Sequence, residues 1–86
     1  MARVVIYTTN YCSYCRAAKA LLSAKKIQFE EIDVTYDAGR RAEMERLSRR
    51  WTVPEIFMDG TPIGGFDELR QLDVNGELDR LIRQTG

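Results

Sequence analysis

The feature that most restricts the fold is an apolar run at the start of the chain. Residues 4–7 are all apolar or aromatic, and three of them, Val4, Val5 and Ile6, are β-branched. A strand without polar alternation is typical of the middle of a sheet, where both faces are covered. A length of 86 residues corresponds to one domain. We therefore expect a single domain, residues 1–86, with its first strand inside the sheet.

The segments that follow alternate between helix and strand. Residues 13–25 are rich in good helix formers, and Cys15, Ala18 and Leu22 recur there at helical spacing. Further helices are predicted at 38–50, 67–74 and 77–84, strands at 27–35, 54–58 and 61–65, and a hairpin turn at Asp59-Gly60. This order, β-α-β-α-β-β-α, begins with a parallel βαβ unit. It predicts an α/β fold: a four-stranded mixed sheet with helices on both faces.

Charge and hydropathy argue against two classes of partner. The 13 basic and 13 acidic side chains give a net charge of zero, so we expect no general binding to nucleic acid. No apolar run approaches the roughly 20 residues that a membrane-spanning helix needs, and the N-terminal segment resembles a strand more than a secretory signal. We expect a cytoplasmic location. In that reducing compartment a Cys-x-x-Cys pair is more often catalytic or metal-binding than a permanent crosslink.

The two cysteines, Cys12 and Cys15, are the only ones in the chain and fall where the first strand gives way to the first helix. A cysteine at a helix N-terminus faces unpaired N–H groups and the positive end of the helix dipole, and both favour the thiolate. Cys12 should therefore be the nucleophile. Cys15 lies one turn further in, less exposed but close enough to form a disulfide. The pair predicts an attacking and a resolving thiol.

Metal and crosslink interpretations of the same pair are weaker. A closed zinc site needs about four ligands, and the chain has no histidine and no second cysteine pair. We expect no metal site within one chain. A purely structural disulfide is also disfavoured, because a loop of about two residues constrains the unfolded chain very little.

Three motifs, in this order, resemble those of the glutaredoxins: CSYC after the first strand, TVPEIF at the third strand and GGFDEL after the hairpin. The resemblance extends over nearly the whole chain. It implies a thioredoxin-like fold and a dithiol, glutathione-dependent oxidoreductase that reduces protein disulfides and glutathionyl mixed disulfides. It also implies that Pro54 is cis and faces the cysteines.

The resemblance further implies a glutathione-binding groove beside the cysteines. Val53 precedes the proline, and its extended backbone would pair with the ligand as with an added strand, with Thr52 flanking that edge. The N–H groups of Gly65, Phe66 and Asp67, where a helix begins, would hold the γ-glutamyl carboxylate. Asp67 would also pair with the ligand's ammonium group.

Two further side chains are expected to complete the groove by the same resemblance. Tyr14 would line it between the cysteines, and Arg41 would neutralise the glycyl carboxylate. Simpler roles stay open: Tyr14 and Phe66 can pack as half-buried aromatics, Arg41 can belong to a solvated basic helix face, and Asp67 can cap a helix. Trp51 is expected to pack against the protein.

At three positions the chain differs from residues common in the family. Ser13 replaces the proline between the cysteines, which adds an N–H near the Cys12 sulfur. Thr9 stands where many members have a lysine, and Glu55 where many have glutamine or a basic residue. The acid would repel a ligand carboxylate or impose a different partner preference. We expect glutathione binding to be weaker than a fully basic groove would give.

The partners expected for a monomeric enzyme are glutathione and disulfide-containing or glutathionylated proteins. An alternative is a dimer that binds a [2Fe–2S] cluster through two Cys12 thiolates and two glutathione thiols, a hypothesis prompted by Ser13. A third hypothesis, a redoxin that draws electrons from thioredoxin reductase, is disfavoured by CSYC and the intact GGFDEL.

Overall fold

The computed structural model describes residues 2–84. Every predicted helix and strand forms. In chain order the elements are β1 (Val4–Thr8), α1 (Ser13–Ala24), β2 (Phe29–Asp33), α2 (Ala38–Ser48), β3 (Glu55–Met58), β4 (Thr61–Gly64), α3 (Phe66–Val74) and α4 (Glu77–Gln84). Across residues 2–84, no helix has both the length and the apolar character needed to cross a membrane.

The four strands form one mixed sheet in the order β2-β1-β3-β4. β1 pairs parallel with β2 and antiparallel with β3, and β3 pairs antiparallel with β4. The β3–β4 turn places both Asp59 and Gly60 at positive φ, 50° and 81°, as a two-residue hairpin turn requires. The interior position of β1 is confirmed, and so is the predicted four-stranded mixed sheet.

Helices cover both faces of the sheet. Successive residues of β1 point to opposite sides, so each face of this strand packs against a different set of helices. Val4 and Ile6 pack with α1, α3 and α4 in the larger core, which includes Leu22 and Leu69. On the other face, Tyr7 packs with Met44 of α2 and with Val34 and Phe57. The carboxyl end of β1 thus lies between two packed layers, and the segment that leaves it contains the cysteines.

Two elements, α2 and β2, are shorter than predicted by at least two residues, for reasons that lie in local backbone conformation and hydrogen bonds. α2 ends at Ser48 because Arg49 takes the left-handed conformation, at φ 60°. β2 starts only at Phe29 because the N–H groups of Lys26 and Ile27 cap α1, donating to Ser23 O and Leu22 O. It ends at Asp33, whose Oδ1 accepts the Thr35 N–H at 2.8 Å and turns the chain.

Candidate active site

Cys12 lies at the junction of β1 and α1 and is the N-cap residue of the helix. Its backbone is extended, at φ −96° and ψ 115°, and its Sγ accepts the Cys15 N–H at 3.2 Å. No acidic side chain lies in the first turn of α1, so nothing there opposes the positive end of the helix dipole. The half-buried Cys12 sulfur therefore lies at the N-terminus of α1, next to a helix N–H group.

Cys15 is 0% exposed and has a different environment from Cys12. Burial, and next the hydrogen bond with Cys12, raise the pKa of the Cys15 thiol to about 12, although the Thr9 N–H opposes the shift. Both cysteines are free thiols. The two sulfurs therefore differ in exposure, since Cys12 is half-buried and Cys15 is fully buried, and the roles of attacking and resolving thiol stay a prediction.

The loop before β3 faces the Cys12 sulfur. The Val53–Pro54 peptide bond is cis, as the resemblance implied. The Val53 carbonyl oxygen lies 3.7 Å from Cys12 Sγ and can accept the thiol proton. This contact joins residues that are 41 positions apart in the sequence.

A cleft of about 200 Å³ opens beside this loop. Its walls bring together seven of the predicted groove residues: Tyr14, Thr52, Val53, Pro54, Gly65, Phe66 and Asp67. The rings of Tyr14 and Phe66 stack with centroids 6.1 Å apart and an interplanar angle of 29°. The two aromatic side chains therefore form one wall from α1 and the start of α3.

The structure does not bring Arg41 to this cleft. Its Nη2 donates to the Trp51 carbonyl at 3.0 Å, and its Nε lies 3.5 Å from Glu45 Oε2. Trp51 itself is 72% exposed, so the expectation that it packs is wrong. A contact between Arg41 and a ligand stays a prediction.

Sequence reasoning missed two residues of the cleft, Arg50 and Glu68. Glu68 Oε1 accepts the Gly65 N–H at 2.6 Å and so caps α3. That N–H, the largest cause, together with the Arg50 charge holds the pKa of Glu68 below its usual range. A sequence signal existed, since a glutamate three residues after an N-cap is typical of a capping box. No comparable signal pointed to Arg50.

Glu55 does not face the cleft, so the expectation that it repels a ligand carboxylate is wrong. Its side chain is 0% exposed. Its Oε2 accepts from Thr52 Oγ1 at 3.2 Å and forms an ion pair with Arg50 Nε, also at 3.2 Å. Burial raises the pKa of this carboxyl, while Arg50 and Thr52 oppose the shift. The Thr9 side chain is buried, and its backbone hydrogen-bonds to Cys15. The part of the expectation that concerns the cation missing at position 9 stays a prediction.

A thioredoxin-like fold that presents an N-capping cysteine, a buried second cysteine and a facing cis-proline loop defines the class of thiol–disulfide oxidoreductases. The family model described as Glutaredoxin matches residues 4–63. Glutaredoxin 3 of Escherichia coli strain K12 is 49% identical over 83 residues, which cover 96% of this chain and 100% of that protein. A glutaredoxin of Pseudomonas aeruginosa is 44% identical over 82 residues, 95% of this chain and 98% of that protein. The chain belongs to the glutaredoxin family and is a glutathione-dependent thiol–disulfide oxidoreductase.

Solved structures agree with this fold. The solution structure of glutaredoxin from Brucella melitensis is 44% identical, with a TM-score of 0.85 over 96% of this chain and 90% of that one. The buckwheat glutaredoxin-glutathione complex is 23% identical and has a TM-score of 0.88 over 96% of this chain and 78% of that one. At that identity it supports the fold alone.

Proposed function

We propose that the chain reduces glutathionylated proteins and small disulfides with glutathione bound in the cleft beside Cys12. The observation that supports this most directly is the position of Val53. Val53 lines the cleft, and its carbonyl oxygen lies 3.7 Å from Cys12 Sγ. A peptide-like ligand that pairs with the Val53 backbone would hold its own sulfur next to the nucleophile. The buckwheat protein bound to glutathione is a precedent within the same fold.

The proposed reaction has two exchange steps. The Cys12 thiolate attacks the glutathionyl sulfur of a mixed disulfide, the S–S bond breaks, and the target leaves as a thiolate that takes up a proton. Cys12 is then bonded to glutathione. The thiolate of a second glutathione attacks the glutathionyl sulfur of this new disulfide, and oxidised glutathione leaves as Cys12 returns to the thiolate. Each step breaks one S–S bond and forms another, so no further oxidant or reductant is needed.

The cleft supplies groups that suit each end of glutathione. The backbone N–H groups of Phe66 and Asp67, at the start of α3, suit the γ-glutamyl carboxylate, whereas the Gly65 N–H already donates to Glu68 Oε1. The Asp67 carboxylate suits the ammonium group, and the Tyr14–Phe66 wall covers the middle of the ligand. These roles belong to the proposal, and so does a contact between Arg41 and the glycyl carboxylate at the other end of glutathione.

Cys15 has the narrower role. Because the pKa of its thiol is raised to about 12, glutathione in solution supplies a larger fraction of thiolate at neutral pH. We therefore assign glutathionylated substrates to the route that uses Cys12 alone. Cys15 serves for protein disulfides, where the mixed disulfide holds the target sulfur beside it.

Two cysteine variants test this assignment. Cys12→Ser should abolish turnover of a glutathionyl mixed disulfide, because no other exposed thiol is present. Cys15→Ser should keep that turnover and lose most reduction of protein disulfides. A coupled assay of oxidised glutathione formation, run with both substrates, measures the two activities. Full deglutathionylation by Cys12→Ser would contradict the assignment.

The [2Fe–2S] alternative is not supported by the chain's own donors. Among residues 2–84 no group of three or more His, Cys, Asp or Glu side chains is arranged to hold a metal. One chain would contribute the Cys12 sulfur, so a cluster would need a second copy and two glutathione sulfurs. We propose the enzyme as the main hypothesis. In this hypothesis the chain acts as a monomer in the cytoplasm, where a reducing environment would keep both thiols free.

A further inference from the structure

A half-satisfied carboxylate is buried under the cleft. Glu55 is the first residue of β3, directly after Pro54. Its Oε2 accepts from Thr52 Oγ1 and forms an ion pair with Arg50 Nε at 3.2 Å. Its Oε1 is buried and has no hydrogen-bond partner among residues 2–84. A buried carboxylate with a free oxygen opposes folding unless a partner compensates for it. Its one charged partner is Arg50.

Arg50 lies over the N-terminus of α3. While Arg50 Nε is paired with Glu55, Arg50 Nη1 lies 3.5 Å from Glu68 Oε1, which is long for an ion-pair hydrogen bond. Its Nη2 is 3.7 Å from the position that a Cβ would occupy on Gly65. Arg50 lines the cleft, and among residues 2–84 the guanidinium edge formed by Nη1 and Nη2 makes only the 3.5 Å hydrogen bond to Glu68. That edge can accept a carboxylate through two parallel hydrogen bonds.

The charges at this end of the cleft match an amino-acid head group. The cleft wall presents one cation, Arg50, and two carboxylates, Asp67 and Glu68. The γ-glutamyl residue of glutathione presents an ammonium group and an α-carboxylate on the same carbon. A carboxylate seated between Nη1 and Nη2 replaces only the 3.5 Å contact with Glu68. It leaves that acid free to face the ammonium group.

We propose that Arg50 binds the α-carboxylate of the γ-glutamyl residue, and that Glu55 is a positioning residue that fixes the guanidinium over Gly65. This inference rests on the proposed function, because it concerns glutathione held at Cys12. It gives the chain a side-chain cation in the groove although Thr9 supplies none. It also gives Glu55 the role of holding the Arg50 guanidinium in place. A glutamine at this position would fill that role in part, and an apolar residue would not.

The test measures mixed-disulfide formation at Cys12 in a Cys15→Ser background. The protein is equilibrated with thiol and disulfide forms of glutathione, or of an analogue in which 4-aminobutyryl replaces γ-glutamyl. The analogue keeps the ammonium group and lacks only the α-carboxylate. Mass spectrometry of the intact protein gives the two equilibrium constants, and their ratio isolates recognition of the carboxylate.

We expect the background protein to favour glutathione over the analogue. Arg50→Gln should lower that preference about tenfold, the size of one charge-assisted contact. Glu55→Gln should keep most of the preference, because its amide oxygen can take the place of Glu55 Oε2 beside Arg50 Nε, whereas Glu55→Leu should lower it severalfold. Arg83→Gln, which removes an exposed cation from α4, is the control for net charge and should change nothing.

The outcomes separate this proposal from the proposed function. If Cys12 forms no mixed disulfide with glutathione, the proposed function fails and this inference fails with it. A stable mixed disulfide whose preference is the same in Arg50→Gln overturns the inference alone. Equal preferences in Glu55→Gln and Glu55→Leu would refute the positioning role. Should Glu55→Leu not fold, as judged by circular dichroism, the Glu55→Gln and Arg50→Gln preferences decide.

Discussion

Tyr7 and Cys15 are two β1–α1 side chains that the fold keeps protonated. Tyr7 is buried against Phe57, and its hydroxyl donates to Glu43 Oε2 at 2.7 Å. Burial, and then the Glu43 hydrogen bond, raise the pKa of Tyr7 to about 12. The pKa of Cys15 is also raised to about 12. Neither proton takes part in attack by Cys12, but both couple folding to alkaline pH.

This coupling predicts a loss of stability at high pH. In the unfolded chain a tyrosine has a pKa of about 10 and a cysteine of about 8.5, so the unfolded state releases these protons first. The stabilisation is complete below about pH 8.5 and is lost as pH rises towards 12. Tyr7→Phe should cost about 1 kcal/mol at pH 7 and make the decline above pH 10 shallower. Urea unfolding between pH 7 and 11 measures both effects. The exposed Tyr36→Phe is the control, and an equally steep decline in Tyr7→Phe would refute the coupling.

The sequence indicated the site residues that act through the backbone better than those that act through long side chains. Val53 and Gly65 lie in the connections before β3 and α3, and the proline and glycine residues of these connections are local sequence signals. Arg50 lies at the cleft and Arg41 does not, because α2 ends between these two residues. Since Arg49 turns left-handed at φ 60°, Arg50 returns over the cleft and Trp51 points to solvent. Single-residue conformations of this kind have no periodic signal, and so Arg50 and the burial of Glu55 were not predicted.

At the scale of elements, the start of α3 depends on close packing around Gly64. Its φ is 122°, and an added Cβ would lie 2.7 Å from Glu68 Oε1 and 2.8 Å from Glu68 Cγ. Glu68 is the side chain that caps the helix through the Gly65 N–H. The hairpin strand β4 and the N-terminus of α3 are therefore joined at a position that favours glycine.

Gly64→Ala should destabilise the protein by about 1–3 kcal/mol, because it combines a positive φ with displacement of the Glu68 cap. It should also weaken the mixed disulfide of Cys12 with glutathione. Gly39→Ala is the matched control, because Gly39 is inside α2 and its added Cβ makes only a 3.6 Å contact with Asp37. That variant should gain up to about 1 kcal/mol from helix propensity. Urea unfolding compares the two, and equal stabilities would contradict this account.

The order of the elements was fully predictable, whereas their ends were not. Apolar periodicity identified β1 and α1, and the Asp59-Gly60 pair identified the hairpin. The ends of β2 depend on capping bonds that Lys26 and Asp33 make with their neighbours. Those bonds compete with strand pairing, and the sequence pattern does not predict which of the two sets of hydrogen bonds forms.

At the scale of the whole molecule, the C-terminal helix closes the larger core. Leu78 of α4 is 0% exposed and packs in the cluster with Leu22 and Leu69. The Ala2 N–H donates to Ile82 O at 3.0 Å, which joins the start of the chain to α4. Surface ion pairs add little, so apolar burial by α4 is the main reason that this helix stays docked.

Leu78→Ala should lower the free energy of unfolding by about 2–5 kcal/mol. That is a large part of the roughly 5–15 kcal/mol typical of a small domain. Leu47→Ala makes the same change at a side chain that is 50% exposed and should cost under about 1 kcal/mol. Urea unfolding followed by circular dichroism compares them. Glutathionyl turnover by Leu78→Ala should persist below its unfolding transition, since α4 does not line the cleft. Equal losses in the two variants would refute the role of α4.

The central claim is that one sulfur of the pair attacks while the other stays a buried thiol. Its most direct test is iodoacetamide labelling of the native, reduced protein at pH 7, mapped by peptide mass spectrometry. We predict rapid modification of Cys12 and no modification of Cys15. In the Cys12→Ser variant, Cys15 should remain unlabelled until the pH approaches 12 or urea unfolds the chain. Labelling of Cys15 in the folded protein at pH 7, at a rate equal to that of Cys12, would contradict the account.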